Sequence, residues 1–296
     1  MNIILDFLLR HKWFTWVFGS LYFISTVIFH KPVARLSLKI EQQTTYAAYN
    51  RGWGLFALTA LTLVLAAVVI KIMKGEDRIF KLFFLALTFG LIGITHWAVL
   101  AVNLEYIHVM QFSLLVFPLL ALTRRFGETV FWIGLLGALD ELYQYYVVWW
   151  PHQSYYDFND VILDIAGGAF MVFLIYLWLN QDALFPQGHL PKIRWRRSPS
   201  AIAAAGILVF ALLAPAAGLL SYYPEAERSP DSQAAILLSR DPRTPQFWSV
   251  FEKGKTYHIV GAGEWMALLL LGTALYSLLD WRLRRTPQAP SGREGG

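Results

Sequence analysis

Eight stretches of this chain, at about 13–30, 53–70, 82–102, 106–122, 129–148, 161–179, 201–220 and 259–280, are long and apolar enough to cross a membrane, since a spanning helix needs about 20 mostly apolar residues. Together they take up over half of the 296 residues, which makes the chain an integral membrane protein. The composition agrees: 56% of residues are hydrophobic and 15% charged, against roughly 45–50% and about 25% in a soluble domain. Disordered, collagen-like and coiled-coil classes are excluded. The 12 Trp and 14 Tyr suit helices that cross two interfaces, where amphipathic rings settle. The fold class expected is therefore all-α, a polytopic transmembrane helix bundle of about eight spans.

The net charge of +5 has no soluble basic domain to carry it, so it reads as an orientation signal and implies no nucleic-acid partner. Sixteen of the 25 Lys and Arg fall on the side that holds the N-terminus. The remaining nine sit in the longest loops of the other side. Cytoplasmic loops carry the basic excess, so a multi-pass protein of the cytoplasmic membrane with both termini inside is expected. The first stretch follows Arg10, His11 and Lys12 like a signal peptide, but no small-x-small cleavage site precedes Pro32, which makes it a signal anchor. Without cysteine the chain has no disulfide framework and no thiol nucleophile.

The chain divides into an N-terminal two-helix membrane region (1–78), a four-helix core (79–180) and a C-terminal two-helix region (181–285) with a long outer loop at 221–258. A disordered tail is expected at 286–296. Residues 33–50 are too polar to span, and read either as an interfacial helix, with Val33, Leu36, Ile40 and Tyr46 opposite Arg35, Lys39 and Glu41, or as a plain loop.

Ionisable groups inside spans cost about 2.5–3.5 kcal/mol each at the helix centre and normally face a bundle interior or a wet cavity. Here they are concentrated. The fifth stretch carries Asp140, Glu141 and Gln144; the sixth begins at Asp157, Asn159 and Asp160, with Asp164 one turn deeper. His96 and Asn103 belong to the third, Glu105, His108 and Gln111 to the fourth, and His258 and Glu264 to the last. All of them fall at the centre or in the outer half of a span. Residues three or four apart share a helix face, so Asp140 with Gln144, His108 with Gln111, and Asp160 with Asp164 give each helix one polar stripe. The candidate binding set is thus His96, His108, Gln111, Asp140, Glu141, Gln144, Asp160, Asp164 and Glu264, with Asp140, Glu141 and Asp160 the candidates for catalysis.

Plainer roles compete. Asp157 or Asn159 could cap the sixth helix, Gly167 and Gly168 let it pack closely, Gly90 and Gly93 read as packing material, Glu105 and His258 as solvated interfacial groups, and the carboxylates as a structural polar network. No zinc helix, nucleophile elbow or phosphate loop occurs. Carboxylates with two histidines could hold a divalent cation, but no ligand spacing requires one, so no cofactor is needed and no metal ligand is assigned.

The run DELYQYYVVWWPHQSYYDFNDVILDIAGG, from Asp140 to Gly168, resembles the signature of the VanZ-like membrane family: Asp-Glu-x-x-Gln near the end of one helix, a short outer loop, then an Asp-Val/Ile helix start followed by Gly. The preceding GITHWAVLAVNLEYIHVMQFSLL resembles the family's upstream helix, with His108 in place of its histidine. The resemblance covers roughly residues 79–180 and departs from the family where WWPHQSYY replaces a Pro-Gly-Arg turn, where Asp164 stands for the usual Asn, and where Glu105 stands for a basic residue. It implies a four-helix VanZ-like core and a bacterial cell-envelope protein linked to glycopeptide resistance, without naming a reaction. The expected function is recognition or modification of an envelope component, a lipid-linked or cell-wall ligand, by an acidic pocket at the outer leaflet. The alternatives are a carboxylate- or metal-dependent hydrolase or transferase acting on lipid head groups, a proton-coupled transporter, and a structural scaffold. Membrane lipids are partners under every reading.

Overall fold

The computed structural model describes residues 2–101, 103–148, 156–178, 199–214, 217, 219–221, 236–237, 248–250 and 256–285. They form nine helices: α1 (Asn2–Arg10), α2 (Lys12–Gln43), α3 (Tyr46–Lys74), α4 (Arg78–Ile94), α5 (Tyr106–Thr123), α6 (Phe126–Tyr143), α7 (Phe158–Trp178), α8 (Pro199–Leu213) and α9 (Ala262–Arg285). Wide π turns, Thr95–Val99 and Gln144–Val148, extend α4 and α6, and a 3-10 turn at Asn103–Glu105 leads into α5. Two minimal strand pairs, β1 (Leu220–Ser221) with β2 (Ile236–Leu237) and β3 (Ser249–Val250) with β4 (Thr256–Tyr257), are the described parts of the long loop. The rest of that loop and the tail at 286–296 lie outside the described residues.

Six of these helical segments are long and apolar enough to cross a membrane: those at Lys12–Gln43, Tyr46–Lys74, Arg78–Val99, Asn103–Thr123, Phe158–Trp178 and Ala262–Leu283. The protein is thus all-helical with the spans of a multi-pass membrane protein. The stretch at 129–148 is helical too, but its helix α6 carries Glu128, Asp140 and Glu141, which lower its apolarity, and the described helix near 201–220 has only 15 residues. Large apolar side chains on α3, such as Leu58 and Leu63, are more than 60% exposed, as suits a face covered by lipid or by another apolar surface.

The helix α7 forms the axis. Its apolar window is 78% buried, enclosed by α4, α5, α6 and α9. Small residues set the closeness of this packing: a methyl group on Gly167 would land on the backbone carbonyl of Val109, and one on Gly168 would meet Ile133 at 2.7 Å. The Ser113 hydroxyl of α5 donates to the Gly167 carbonyl at 2.9 Å. Further in, Thr88 and Tyr276 share a hydrogen bond of 2.6 Å between α4 and α9.

Two expectations change. Residues 33–50 are neither a separate interfacial helix nor a loop, because α2 continues past Pro32 to Gln43 and Thr45 caps α3 by accepting the Ala48 N–H at 3.2 Å. Gly90 and Gly93 do not pack closely against a neighbour, since a Cβ added at either would meet nothing within 4 Å.

Candidate functional site

The start of α5, the end of α6 and the start of α7 converge at one end of the bundle, bringing three of the polar stripes together. His108 is at the centre, 3% exposed. Its Nδ1 lies 3.1 Å from Asp164 Oδ1 and its Nε2 3.5 Å from Asp160 Oδ2. Carboxylates on both edges match an imidazolium, which donates from both nitrogens. Gly137 makes room for this pairing, because a side chain there would collide with the Asp164 carboxylate.

Asp140 and Glu141 face the same region from the last turn of α6, each 2% exposed. Gln144, one turn on, donates to Asp140 Oδ2 at 3.3 Å. Asp140 Oδ1 and Glu141 Oε2 are buried and have no hydrogen-bond partner among the described residues. A buried acceptor left so costs about 1–3 kcal/mol, which marks these two atoms as places for a proton or a ligand donor. Glu141 lies in the electrostatic field of Asp160, Asp157, His108 and Asp140.

Asp157 caps α7, its Oδ1 accepting the Asn159 N–H at 2.9 Å. Burial first, and the neighbouring Asp160 charge second, push its carboxyl up to about 7. Tyr156 roofs the cluster and donates its hydroxyl to the Ala138 carbonyl; burial and the surrounding carboxylates push this phenol well above its ordinary value. Glu105 is half-buried and accepts the Ala101 N–H at 2.8 Å, so it is tied to the backbone rather than merely solvated. Asp160 keeps 19% of its side chain exposed, so the cluster has a wet edge.

Sequence reasoning missed His30. Its ring centre is 5.6 Å from that of His108, and the charge of Asp160 reaches it. Beside it, the Lys31 ammonium donates to the Val148 carbonyl at 3.3 Å, at the end of the α6 π turn. His30 ends the first apolar stretch and Lys31 counts only as a loop cation, and nothing in the sequence links α2 to α5.

Of the nine candidate binding residues, His108, Asp140, Glu141, Gln144, Asp160 and Asp164 come together. His96 is exposed and pairs with the Tyr106 hydroxyl at 2.7 Å. Gln111 meets α2, its carbonyl accepting the Tyr22 hydroxyl at 2.9 Å. Glu264 turns to His258, 3.0 Å away, and accepts the Gly261 N–H at 2.7 Å. Asn159 ties the local backbone: its amide donates to the carbonyls of Val99 and His258, both at 2.9 Å, and accepts the Val260 N–H at 2.7 Å.

Among the described residues no group of three or more His, Asp or Glu is arranged to hold a metal ion. His108 could ligate only by giving up one of its carboxylate contacts, since a ligating nitrogen needs its lone pair. What the cluster can do is hold and pass protons and accept hydrogen bonds from a cationic or hydroxyl-bearing group. An apolar cleft of about 610 Å³ between α6, α8 and α9 has Tyr156 and Phe158 among its lining residues, so the roof of the cluster adjoins it.

The chain matches no protein-family profile, no curated protein and no solved structure.

Proposed function

We propose that this is a VanZ-like protein of the bacterial cytoplasmic membrane, with eight spans and both termini in the cytoplasm, whose acidic chamber recognises or modifies an envelope component at the outer leaflet. One observation carries the reading. The Asp-Glu-x-x-Gln run of α6 places Asp140 Oδ1 and Glu141 Oε2 in a buried cluster where neither has a partner among the described residues. A network serving only to hold helices together would saturate its acceptors, because unsaturated ones destabilise the fold. The eight proposed spans are the six long apolar helices, α6 with its carboxylates, and the apolar stretch at 201–220, of which α8 is the described helical part. The excess of Lys and Arg beside the N-terminus supports the orientation.

A second reading, chemistry on a lipid head group, is favoured by the cleft that reaches Tyr156. In it Asp160, at the wet edge, acts as general base, and Asp157, held near 7, gives or takes the proton at neutral pH.

The test uses a glycopeptide-sensitive bacterial host expressing the chain. Wild type should raise the teicoplanin concentration needed to stop growth, and Asp140→Asn and Glu141→Gln should each abolish that rise while keeping wild-type yield in the membrane. Amides keep shape and hydrogen bonding, so a purely structural network would survive both substitutions with resistance intact. Full resistance in both variants rejects the chamber as the site. No rise with wild type rejects the link to glycopeptides.

A further inference from the structure

A second cleft, separate from the acid chamber, lies between α3, α4 and α5, with Phe170 of α7 at its floor. Its volume is about 550 Å³, within the range of sites that seat a small molecule. Most of its wall is aliphatic or aromatic, and the α3 residues that line it run from Arg51 to Val64. At 1.5 Å per residue that is about 20 Å of helix, more than the roughly 15 Å depth of one leaflet's hydrocarbon. The groove thus runs the length of an extended acyl chain.

Its polar residues are Arg51, His96, Asn103 and Tyr106, and no carboxylate is among those that line it. His96 and Tyr106 are hydrogen-bonded and stacked at 5.8 Å. Asn103 is fixed to α3, its N–H donating to Asn50 Oδ1 at 2.8 Å and its amide to the Asn50 carbonyl at 2.9 Å. Arg51 is exposed and has neither an ion pair nor a hydrogen bond among the described residues. A guanidinium at the mouth of an apolar groove complements a phosphate, which it can hold by charge-assisted hydrogen bonds. Gly93 lines the groove with open space beside it, since a Cβ built there meets no atom within 4 Å and a longer side chain would extend into the cleft.

We propose that this cleft seats one anionic phospholipid, its acyl chain laid along α3 and its phosphate on Arg51. The occupant is a lipid because the groove opens sideways between membrane-crossing helices, where lipid is the solvent. It is anionic because the only full charge that lines the groove is positive. The assignment stands on the spanning helices and this cleft, and not on the reading of the acid chamber.

The full chain, purified in mild detergent, is titrated with phosphatidylglycerol and with phosphatidylcholine of the same acyl composition, and bound lipid is counted by native mass spectrometry. Wild type should retain one phosphatidylglycerol about tenfold more tightly than phosphatidylcholine, whose choline ammonium offsets the phosphate charge that Arg51 would meet. Arg51→Gln should erase the preference. Gly93→Leu should fill the groove and weaken retention of both lipids, and because the position is open it tests the proposal even if Arg51→Gln proves unstable. Arg35→Gln removes an exposed cation of α2 that does not line the cleft and should change nothing. Equal retention of the two lipids by wild type, wild-type retention in Gly93→Leu, or an equal loss in Arg35→Gln and Arg51→Gln overturns the proposal. So does inorganic phosphate raising the unfolding midpoint as much as phosphatidylglycerol does, because the acyl chain would then contribute nothing.

Discussion

Asp157 serves two ends with one carboxylate: it caps α7 and adds negative charge beside Asp160. The cap favours the ionised form, but burial and Asp160 outweigh it and hold the carboxyl near 7, against 3.8 for a free Asp. The folded state therefore binds more protons than the unfolded chain between about pH 4 and pH 7, and over that window the contribution of Asp157 to stability falls as pH rises. Asp157→Asn should keep the cap, since Asn serves as well there, and remove the titration. Its stability relative to wild type should rise from about pH 4 to about pH 7 and then level off, read from thermal unfolding followed by tryptophan fluorescence. A constant difference across pH would show that Asp157 ionises freely. The capping role was legible, because the Asp157 to Asp160 spacing at a helix start is a local signal. The charge balance was not, because it depends on how the packed bundle buries Asp157 beside Asp160 and His108.

The junction of α6 and α9 is a cap supplied across the bundle. Asp280, 5% exposed, accepts the Phe126 N–H at 2.9 Å and the Gly127 N–H at 3.2 Å, two of the free donors at the start of α6. Asp280→Ala should lower stability by about 1–2 kcal/mol in denaturant unfolding. Asp280→Asn, which keeps one acceptor, should lose less; equal losses would mean that the charge matters more than the hydrogen bonds. Sequence reading ended the last stretch at residue 280 and could not have found this contact, since its partners lie more than 150 residues earlier. The polar stripes of α5, α6 and α7 were legible because spacing of three and four fixes which residues share a face. The spacing could not say that the stripe of α9 turns away, with Glu264 going to His258. The glycines divide likewise: Gly167 and Gly168 meet neighbours as expected, while Gly90 and Gly93 border open space, although both pairs lie within apolar stretches.

For the whole molecule, the proposed orientation has the α2–α3 connection outside and the α3–α4 connection inside, on the distribution of Lys and Arg. The absence of native cysteine makes this directly testable. Thr44 and Glu76 are exposed at opposite ends of α3. An impermeant thiol reagent on intact cells should label Thr44→Cys and leave Glu76→Cys unlabelled until the membrane is opened. The reverse pattern would turn the acid cluster towards the cytoplasm and end the outer-leaflet proposal. Membrane class and helical fold were legible from apolar length alone. The packing of α9 against α6 and α7 was not, because apolar length says nothing about which helices touch.

The three hydrogen bonds of the Asn159 side chain bind the start of α7 to the end of α4 and to the lead-in of α9. These segments act as a stator: Asp160 and Asp164 cannot shift without dragging three helices. The opposite wall is α2, whose most apolar window has no buried residue. Among the described segments around the cluster, α2 is therefore the one whose displacement would disturb the least packing, and His30 would move with it.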